Sequence, residues 1–170
     1  MTGKKNMKKV KQLEWIRNGD FAETKNKIKV YDHFIKTIIG YYKYHKIGKE
    51  YFLKGAKDDV VNKKFKSTKE AENFAQRHYA ERVEEMLQEL SFMWVNKQEI
   101  ALSGDRFAEM VSSLLLMDNA VNVYHIKKIN DTYIICNADG KEISFSSSYE
   151  EAKKKAEELY RSDIVNFFYA

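Results

Sequence analysis

The chain has 170 residues, of which 44% are hydrophobic and 32% charged, so it can bury the core of one domain or of two very small ones. This composition excludes disorder along the whole chain. The single cysteine, Cys136, has no Cys or His at metal-ligand spacing, so neither a disulfide framework nor a zinc site is supported. The amino terminus lacks the apolar stretch of a secretory signal, and apolar runs such as residues 114–117 are too short to span a bilayer. We therefore expect a soluble, cytoplasmic protein.

Charge and residue usage are both uneven along the chain. Residues 1–60 carry a net charge of +8 and residues 61–170 a net charge of −3, so only the first part favours phosphate or acidic surfaces. Proline is absent, and lysine far outnumbers arginine. Because Lys, Asn, Ile and Tyr have AT-rich codons, the composition indicates a low-GC bacterium, or a phage or plasmid living in one.

Two helices are predicted in the amino-terminal part. Apolar residues recur at helical spacing over residues 7–17, and Asn18-Gly19 supplies a left-handed stop. Residues 28–39 follow the same i, i+3, i+4, i+7 rhythm and end at Gly40. We interpret residues 1–40 as a basic, helical segment.

Residues 41–90 are predicted to form a first ββ(β)α unit. Aromatic residues alternate with lysine and histidine from Tyr41, and a turn at Gly48 leads into a second strand. A third strand precedes Ser67, whose hydroxyl begins a capping box with Glu70 and opens a long helix.

Residues 91–120 are predicted to connect this unit to a second one. They hold a short strand around Trp94 and an apolar stripe that predicts a helix over residues 105–117. The strand pattern returns in residues 121–170, with turns at Asn130-Asp131 and Asp139-Gly140. A second capping box, at residues 148–151, then opens a final long helix.

The two strand-rich units share residues at nearly constant separation. The matching residues, at a separation of 80 and then 81, are Tyr44-His45 and Tyr124-His125, Phe65 and Phe145, Ser67 and Ser148, Glu70 and Glu151, Ala71 and Ala152, Ala75 and Ala156, and Tyr79 and Tyr160. A duplication explains this likeness, but so does the frequent use of such residues in any two ββα segments, and the sequence leaves both open.

The sequence therefore predicts an α+β fold of two similar small antiparallel-sheet-plus-helix, or ββ(β)α, units with additional N-terminal helices and a connecting helix. The four segments, which together can form one compact domain, are residues 1–40, 41–90, 91–120 and 121–170.

No catalytic constellation stands out from the sequence. His45 and His125 lack the hydroxyl residues that a two-histidine phosphoesterase needs two positions further on. Asp131, Asp139 and Glu142 resemble the acids of a metal-dependent nuclease, but turn formation explains each of them. We therefore expect no enzymatic activity, no metal site and no cofactor. Among enzymes, a metal-dependent nuclease is the first alternative.

A basic and aromatic surface on the first unit is the candidate binding site. It combines stacking faces with phosphate-binding charges, although rings in a core and lysines on a solvated face would give the same pattern. The candidate residues are Lys36, Tyr41, Lys43, Tyr44, Lys46, Lys49, Tyr51 and Lys54.

Two functions remain open from the sequence. The first is a non-enzymatic phage or mobile-element protein that inhibits a host protein, for example one in a nucleic-acid-processing complex, by occupying its surface. In size and composition alone the chain is similar to such anti-defence proteins, for example anti-CRISPR inhibitors. The alternative is a protein that binds RNA or DNA directly through the lysines and aromatic rings of the first unit. Neither hypothesis requires a membrane, and the sequence does not define the oligomeric state.

Overall fold

The structure is a computed structural model that describes residues 9–32, 35–56, 62–96, 107–116 and 123–170, without the side chains of residues 31–36. Some predictions fall outside these residues. They are the beginning of the first predicted helix, the turn at Asp58-Asp59, the helix cap at Ser103 or Asp105, the helix end at Asp118-Asn119, and the side chain of Lys36.

Within the described residues, seven strands precede the first helix and six more precede the second. The first group is β1 (Trp15–Asn18), β2 (Phe21–Thr24), β3 (Ile28–Asp32), β4 (Ile35–Ile39), β5 (Tyr42–Ile47), β6 (Glu50–Gly55) and β7 (Asn62–Phe65), followed by α1 (Thr68–Gln88). The second group is β8 (Phe92–Asn96), β9 (Ala108–Ser112), β10 (Leu114–Leu116), β11 (His125–Ile129), β12 (Thr132–Cys136) and β13 (Glu142–Ser146), followed by α2 (Tyr149–Phe168). The protein is therefore mostly β, and the predicted helix-rich α+β fold is wrong.

The chain divides into two compact units, each with a five-stranded antiparallel sheet. The first unit comprises residues 1–89, 114–119 and 168–170. Its main sheet has the order β1-β2-β5-β6-β7, and a smaller sheet has the order β10-β3-β4. The second unit comprises residues 90–113 and 120–167, with one sheet in the order β13-β12-β11-β9-β8.

The two predicted N-terminal helices are wrong, because the described residues there form β1 to β4. In the first case, Leu13 is buried whereas Ile16, placed on the same predicted stripe, is 46% exposed. In the second case, β3 and β4 pair antiparallel, with Ile28 opposite Ile39. Both strands are rich in β-branched residues, which favour a pleated strand over a helix. Apolar spacing suited either structure, and the residues form the antiparallel hairpins β1-β2 and β3-β4.

The predicted connecting helix over residues 105–117 is also wrong. The described part forms β9 and β10, in which burial alternates with a period of two. Met110 and Val111, placed together on the predicted helical stripe, lie on opposite faces of β9. Strand β10 pairs with β3, more than 80 residues earlier in the chain. A partner so distant leaves no trace in local spacing.

The two large sheets have the same topology. In each, an antiparallel pair is followed by an insertion, then by three consecutive antiparallel strands, and then by a helix. The register aligns Ala22, opposite Tyr44, with Ala108, opposite Ile126. It also aligns the only two tryptophans of the chain, since Trp15 pairs with Thr24 and Trp94 with Met110.

The register corrects how the two units correspond. The turns of the β5-β6 and β11-β12 hairpins both begin with a residue of positive φ, Gly48 and Asn130, which are 82 residues apart. Tyr42 therefore corresponds to Tyr124, and the predicted match of Tyr44-His45 with Tyr124-His125 is displaced by two residues. Phe65 likewise corresponds to Ser146 rather than to Phe145, because the two residues pair with equivalent positions of β6 and β12.

The helices keep the predicted separation of 81. The serine half of each predicted capping box is confirmed: the Ser67 Oγ accepts the Glu70 N–H at 3.2 Å, and the Ser148 Oγ accepts the Glu151 N–H at 3.1 Å. The glutamates accept other donors, the Lys66 N–H for Glu70 and the Ser146 hydroxyl for Glu151. The buried faces also match, and they consist of Ala71, Ala75, Tyr79 and Val83 in α1 and of Ala152, Ala156, Tyr160 and Ile164 in α2. In neither described helix does the sequence have the apolar length that crossing a bilayer would need.

Candidate functional site

The main sheet of the first unit has one face that packs on α1, which we call its helix face. Tyr42 and Tyr44 lie on this face: the Tyr42 hydroxyl is 2.6 Å from the His78 Nδ1, and the Tyr44 hydroxyl donates to the Glu72 carboxylate at 2.8 Å. Arg17 completes the group through an ion pair with Glu72 at 2.7 Å.

The electrostatics of this group are those of a structural hydrogen-bond network. Burial, and secondarily the Glu72 carboxylate, raises the pKa of Tyr44 to about 12. The hydrogen bond that Arg17 donates to the Glu72 carboxylate, together with the charge of that carboxylate, raises the pKa of Arg17 as well. Both shifts favour the protonated forms that make these contacts, so the network holds β1 and β5 on α1.

The opposite face of the same sheet, which we call the first open face, carries a row of rings. Phe21 pairs with His45, and His45 pairs with Phe52, so adjacent strands β2, β5 and β6 each contribute one ring. The centres of the His45 and Phe52 rings are 5.8 Å apart. Phe21 is 39% exposed, and the other two rings are half-buried. We call these three residues the ring row.

Lysines lie beside the ring row on the first open face. Lys43 and Lys54 are direct cross-strand partners, which puts their Cβ atoms about 4.5–5.5 Å apart. Lys64 lies opposite Phe52 on the edge strand β7, and the Lys54 Nζ is 5.3 Å from the centre of the Phe52 ring. Among the described residues, no carboxylate lies at ion-pair distance from any of these three lysines. We call Lys43, Lys54 and Lys64 the lysine group.

An acidic residue borders the lysine group on one side. Glu23, on β2, is the cross-strand partner of Lys43, and its carboxylate accepts a hydrogen bond from the Tyr41 hydroxyl at 3.0 Å. The Lys27 Nζ lies 4.7 Å from the centre of the Tyr41 ring. Burial and the Glu23 carboxylate raise the pKa of Tyr41, which keeps this hydroxyl a donor.

The structure divides the eight sequence-predicted site residues between two faces and a turn. Lys43 and Lys54 lie on the first open face, with Tyr41 beside them. Tyr44, Lys46 and Tyr51 belong by register to the helix face, where Tyr44 is buried and the Lys46 Nζ is 5.9 Å from the Tyr51 ring. Lys49 lies in the β5-β6 turn, and the side chain of Lys36 is outside the described residues.

Sequence reasoning missed four residues of this face: Phe21, His45, Phe52 and Lys64. The signal that identifies two of them was available, because residues of one strand that share a face are two apart. His45 shares a face with Lys43, and Phe52 with Lys54, whereas the predicted Tyr44 does not. Lys64 required the pairing of β6 with β7. Phe21 required the pairing of β2 with β5, which the sequence does not reveal.

The corresponding face of the second unit, which we call the second open face, is mixed: His125 and Cys136 are buried on it, Lys127 occupies the position of His45, and its edge strands expose apolar residues. Its edge strand β13 presents Phe145, which is 71% exposed, and Ile143, which is 42% exposed. A shallow groove of about 420 Å³ lies on β12 and β13. Its lining consists of Thr132, Ile134, Glu142, Ile143, Ser144 and Phe145.

The described residues bring together no group of three or more His, Cys, Asp or Glu that could hold a metal ion. Asp139 lies in a turn that the Asn137 carboxamide closes, because the Asn137 Oδ1 accepts the N–H groups of Asp139 and Lys141. By register His45 corresponds to Lys127, so the two sheets do not present His45 and His125 as equivalent ligands.

Comparison with known protein families, curated proteins and solved structures found no match to this chain. The function of the protein is therefore inferred from the chemistry of its two open faces alone.

Proposed function

We propose that the protein is a non-enzymatic nucleic-acid-binding protein and that the first open face of its first unit is the binding surface. The observation that carries this proposal is the direct cross-strand pairing of Lys43 with Lys54. Like charges directly opposite each other destabilise a sheet by roughly 0.2–1 kcal/mol. A phosphate backbone placed over the pair would turn this repulsion into attraction.

The second unit supports this interpretation. At the three positions that correspond to the lysine group it has His125, Cys136 and Phe145. The same sheet therefore forms without lysine at these positions, so their presence in the first unit is not a requirement of the fold. The excess of positive charge in residues 1–60 points in the same direction.

A salt titration of binding tests the proposal. Labelled oligo-dT, oligo-U and a mixed-sequence duplex are titrated with the protein at several salt concentrations, and affinity is measured by fluorescence anisotropy. For a single strand, we expect the slope of log affinity against log salt to fall by about 0.7 for each lysine removed. The Lys43→Gln/Lys54→Gln variant should therefore lose affinity while its free energy of unfolding stays equal or rises.

Lysines on the helix face of the same sheet provide the matched control. Lys46→Gln/Lys63→Gln removes the same charge from β5 and from β7, but the Lys63 Nζ lies 4.4 Å from the Phe74 ring of α1. This control variant should keep the wild-type salt slope. Equal slopes for both double variants, or no salt-dependent binding by the wild-type protein, would contradict the proposal.

The second open face favours a second candidate function, the binding of a host protein surface by a phage or mobile-element inhibitor. The observation is the exposure of Phe145 and Ile143 side by side on the edge strand β13, next to the groove on β12 and β13. Affinity capture from a low-GC bacterial lysate, after nuclease treatment, should recover a stoichiometric partner with wild-type bait and not with a Phe145→Lys bait. Recovery of the same proteins by both baits would exclude this face as the binding surface.

A further inference from the structure

The arrangement of the ring row and the lysine group defines which form of nucleic acid the first open face fits. We infer, on the basis of the proposed function, that the ligand is single-stranded, that its bases stack on the ring row, and that its phosphates contact the lysine group. The strand of nucleic acid would cross the sheet from β2 to β7.

The rings and the lysines form neighbouring rows across the same face. On β5, Lys43 is two residues from His45, and on β6, Lys54 is two residues from Phe52. Two residues along a strand correspond to about 6.6–6.8 Å, and side chains two apart share a face. One row therefore offers ring faces to bases, while the next offers ammonium groups to the backbone that joins those bases.

The spacing of the rings excludes a stacked duplex as the partner of the ring row. Neighbouring strands are about 4.8 Å apart, and the His45 and Phe52 ring centres are 5.8 Å apart with their planes inclined at 62°. Bases in a duplex rise only about 3.4 Å per step and cover one another's faces. Each ring can meet a base face only if the bases are unstacked, as they are in an extended single strand.

The charges limit the path of the phosphates. Glu23 follows Lys43 across the sheet on β2, so phosphates are repelled there and attracted on β5, β6 and β7. Lys64 lies beyond Phe52 on the edge strand β7, in line with the ring row. A phosphate at the edge of the sheet would contact it there. Glu23→Gln should therefore strengthen single-strand binding several-fold.

Replacing two rings by an aliphatic residue tests the inference separately from the proposed function. Phe21→Leu/Phe52→Leu keeps both positions apolar and keeps every lysine. We expect its affinity for oligo-dT or oligo-U to fall at least about tenfold, with an unchanged salt slope. The wild-type protein should bind either oligonucleotide more tightly than a duplex of equal charge.

The control is Phe145→Leu, which removes the most exposed phenylalanine of the second open face and should leave affinity unchanged. Salt-dependent binding that prefers duplex, or that is equal for wild type and Phe21→Leu/Phe52→Leu, would overturn the inference while the proposed function stands. Absence of salt-dependent binding to all three nucleic acids would instead overturn the proposed function, and the inference with it.

Discussion

The two open faces differ at corresponding positions of one shared topology. In place of Lys43, Lys54 and Lys64, the second unit has a buried histidine, a buried cysteine and an exposed phenylalanine. The helices, by contrast, are alike: the buried Ala75 and Tyr79 of α1 correspond to the buried Ala156 and Tyr160 of α2. The face covered by the helix is thus alike in the two units, whereas the opposite face differs in residue type and in exposure.

We propose that this contrast corresponds to a division of labour within one chain. A sheet covered by a helix on one side has its stability determined mainly by the covered side, since that is where apolar area leaves water. Lysines and rings on the first open face suit a charged, planar ligand, whereas aliphatic residues and Phe145 on the second suit an apolar protein surface.

The largest expected effect tests whether the two units are equivalent inside. Leu53 and Ile135 are 82 residues apart, occupy the same sheet position and are both completely buried. Leu53→Ala and Ile135→Ala should each lower the free energy of unfolding by about 2–5 kcal/mol, measured by urea denaturation. If one of the two substitutions costs less than about 1 kcal/mol, the residue-by-residue comparison of the units fails.

The sequence predicted the parts of these units that depend on local signals. The turn at Asn130-Asp131 and the serine helix caps at Ser67 and Ser148 are present because neighbouring residues alone determine them. The strands near the amino terminus were mistaken for helices because their apolar residues also recur at three and four positions, and because Asn18-Gly19, at the turn of the β1-β2 hairpin, was interpreted as a helix stop. The pairing of β2 with β5 and of β3 with β10 is a long-range effect that local spacing does not contain.

The candidate site was predicted only in part, for a related reason. Lys43 and Lys54 were identified from charge, but they were grouped with Tyr44 and Tyr51, which point to the other side of the sheet. Side-chain alternation was enough to separate these two sets. It was not enough to add Phe21, since only the three-dimensional pairing of strands places that ring beside His45.

The next effect compares two tyrosines at equivalent positions with different partners. The Tyr124 hydroxyl donates to the Asp163 carboxylate, whereas the Tyr42 hydroxyl contacts the His78 ring. Hydrogen bonds to charged groups contribute about 1.5–3 kcal/mol and neutral ones about 0.5–1.5 kcal/mol. Tyr124→Phe should therefore destabilise the protein more than Tyr42→Phe in urea denaturation at neutral pH. A larger loss of stability for Tyr42→Phe than for Tyr124→Phe would contradict the assignment of the stronger hydrogen bond to Tyr124 and Asp163.

A pH-dependent effect distinguishes the first unit from the second. Tyr44 corresponds to Ile126, so only the first unit has an ionisable group at this position. Its pKa is raised to about 12 in the folded protein, against about 10 in an unfolded chain. The stabilisation from the protonated hydroxyl is complete below pH 10 and is lost as the pH rises through about 12.

The matched variant is Tyr44→Phe, compared with the wild-type protein at each pH. The wild-type protein should be more stable at neutral pH, and this difference in free energy of unfolding should shrink between about pH 10 and pH 12. Tyrosines distant from residue 44 contribute equally to both proteins, so the difference reports the titration of Tyr44. A constant difference over this range would contradict the raised pKa of Tyr44, whose main cause is burial.

The smallest expected effect concerns the hairpin turns that define the register between the units. Gly48 has a φ of +63° with open space around its Cα, and the corresponding Asn130 has a φ of +54°. Asparagine tolerates this left-handed conformation, whereas β-branched residues do not. Gly48→Asn should therefore change the free energy of unfolding by less than about 0.5 kcal/mol, and Gly48→Val should lower it by about 1–2 kcal/mol. Equal costs for both substitutions would contradict the left-handed conformation assigned to Gly48, and with it the likeness of the two turns.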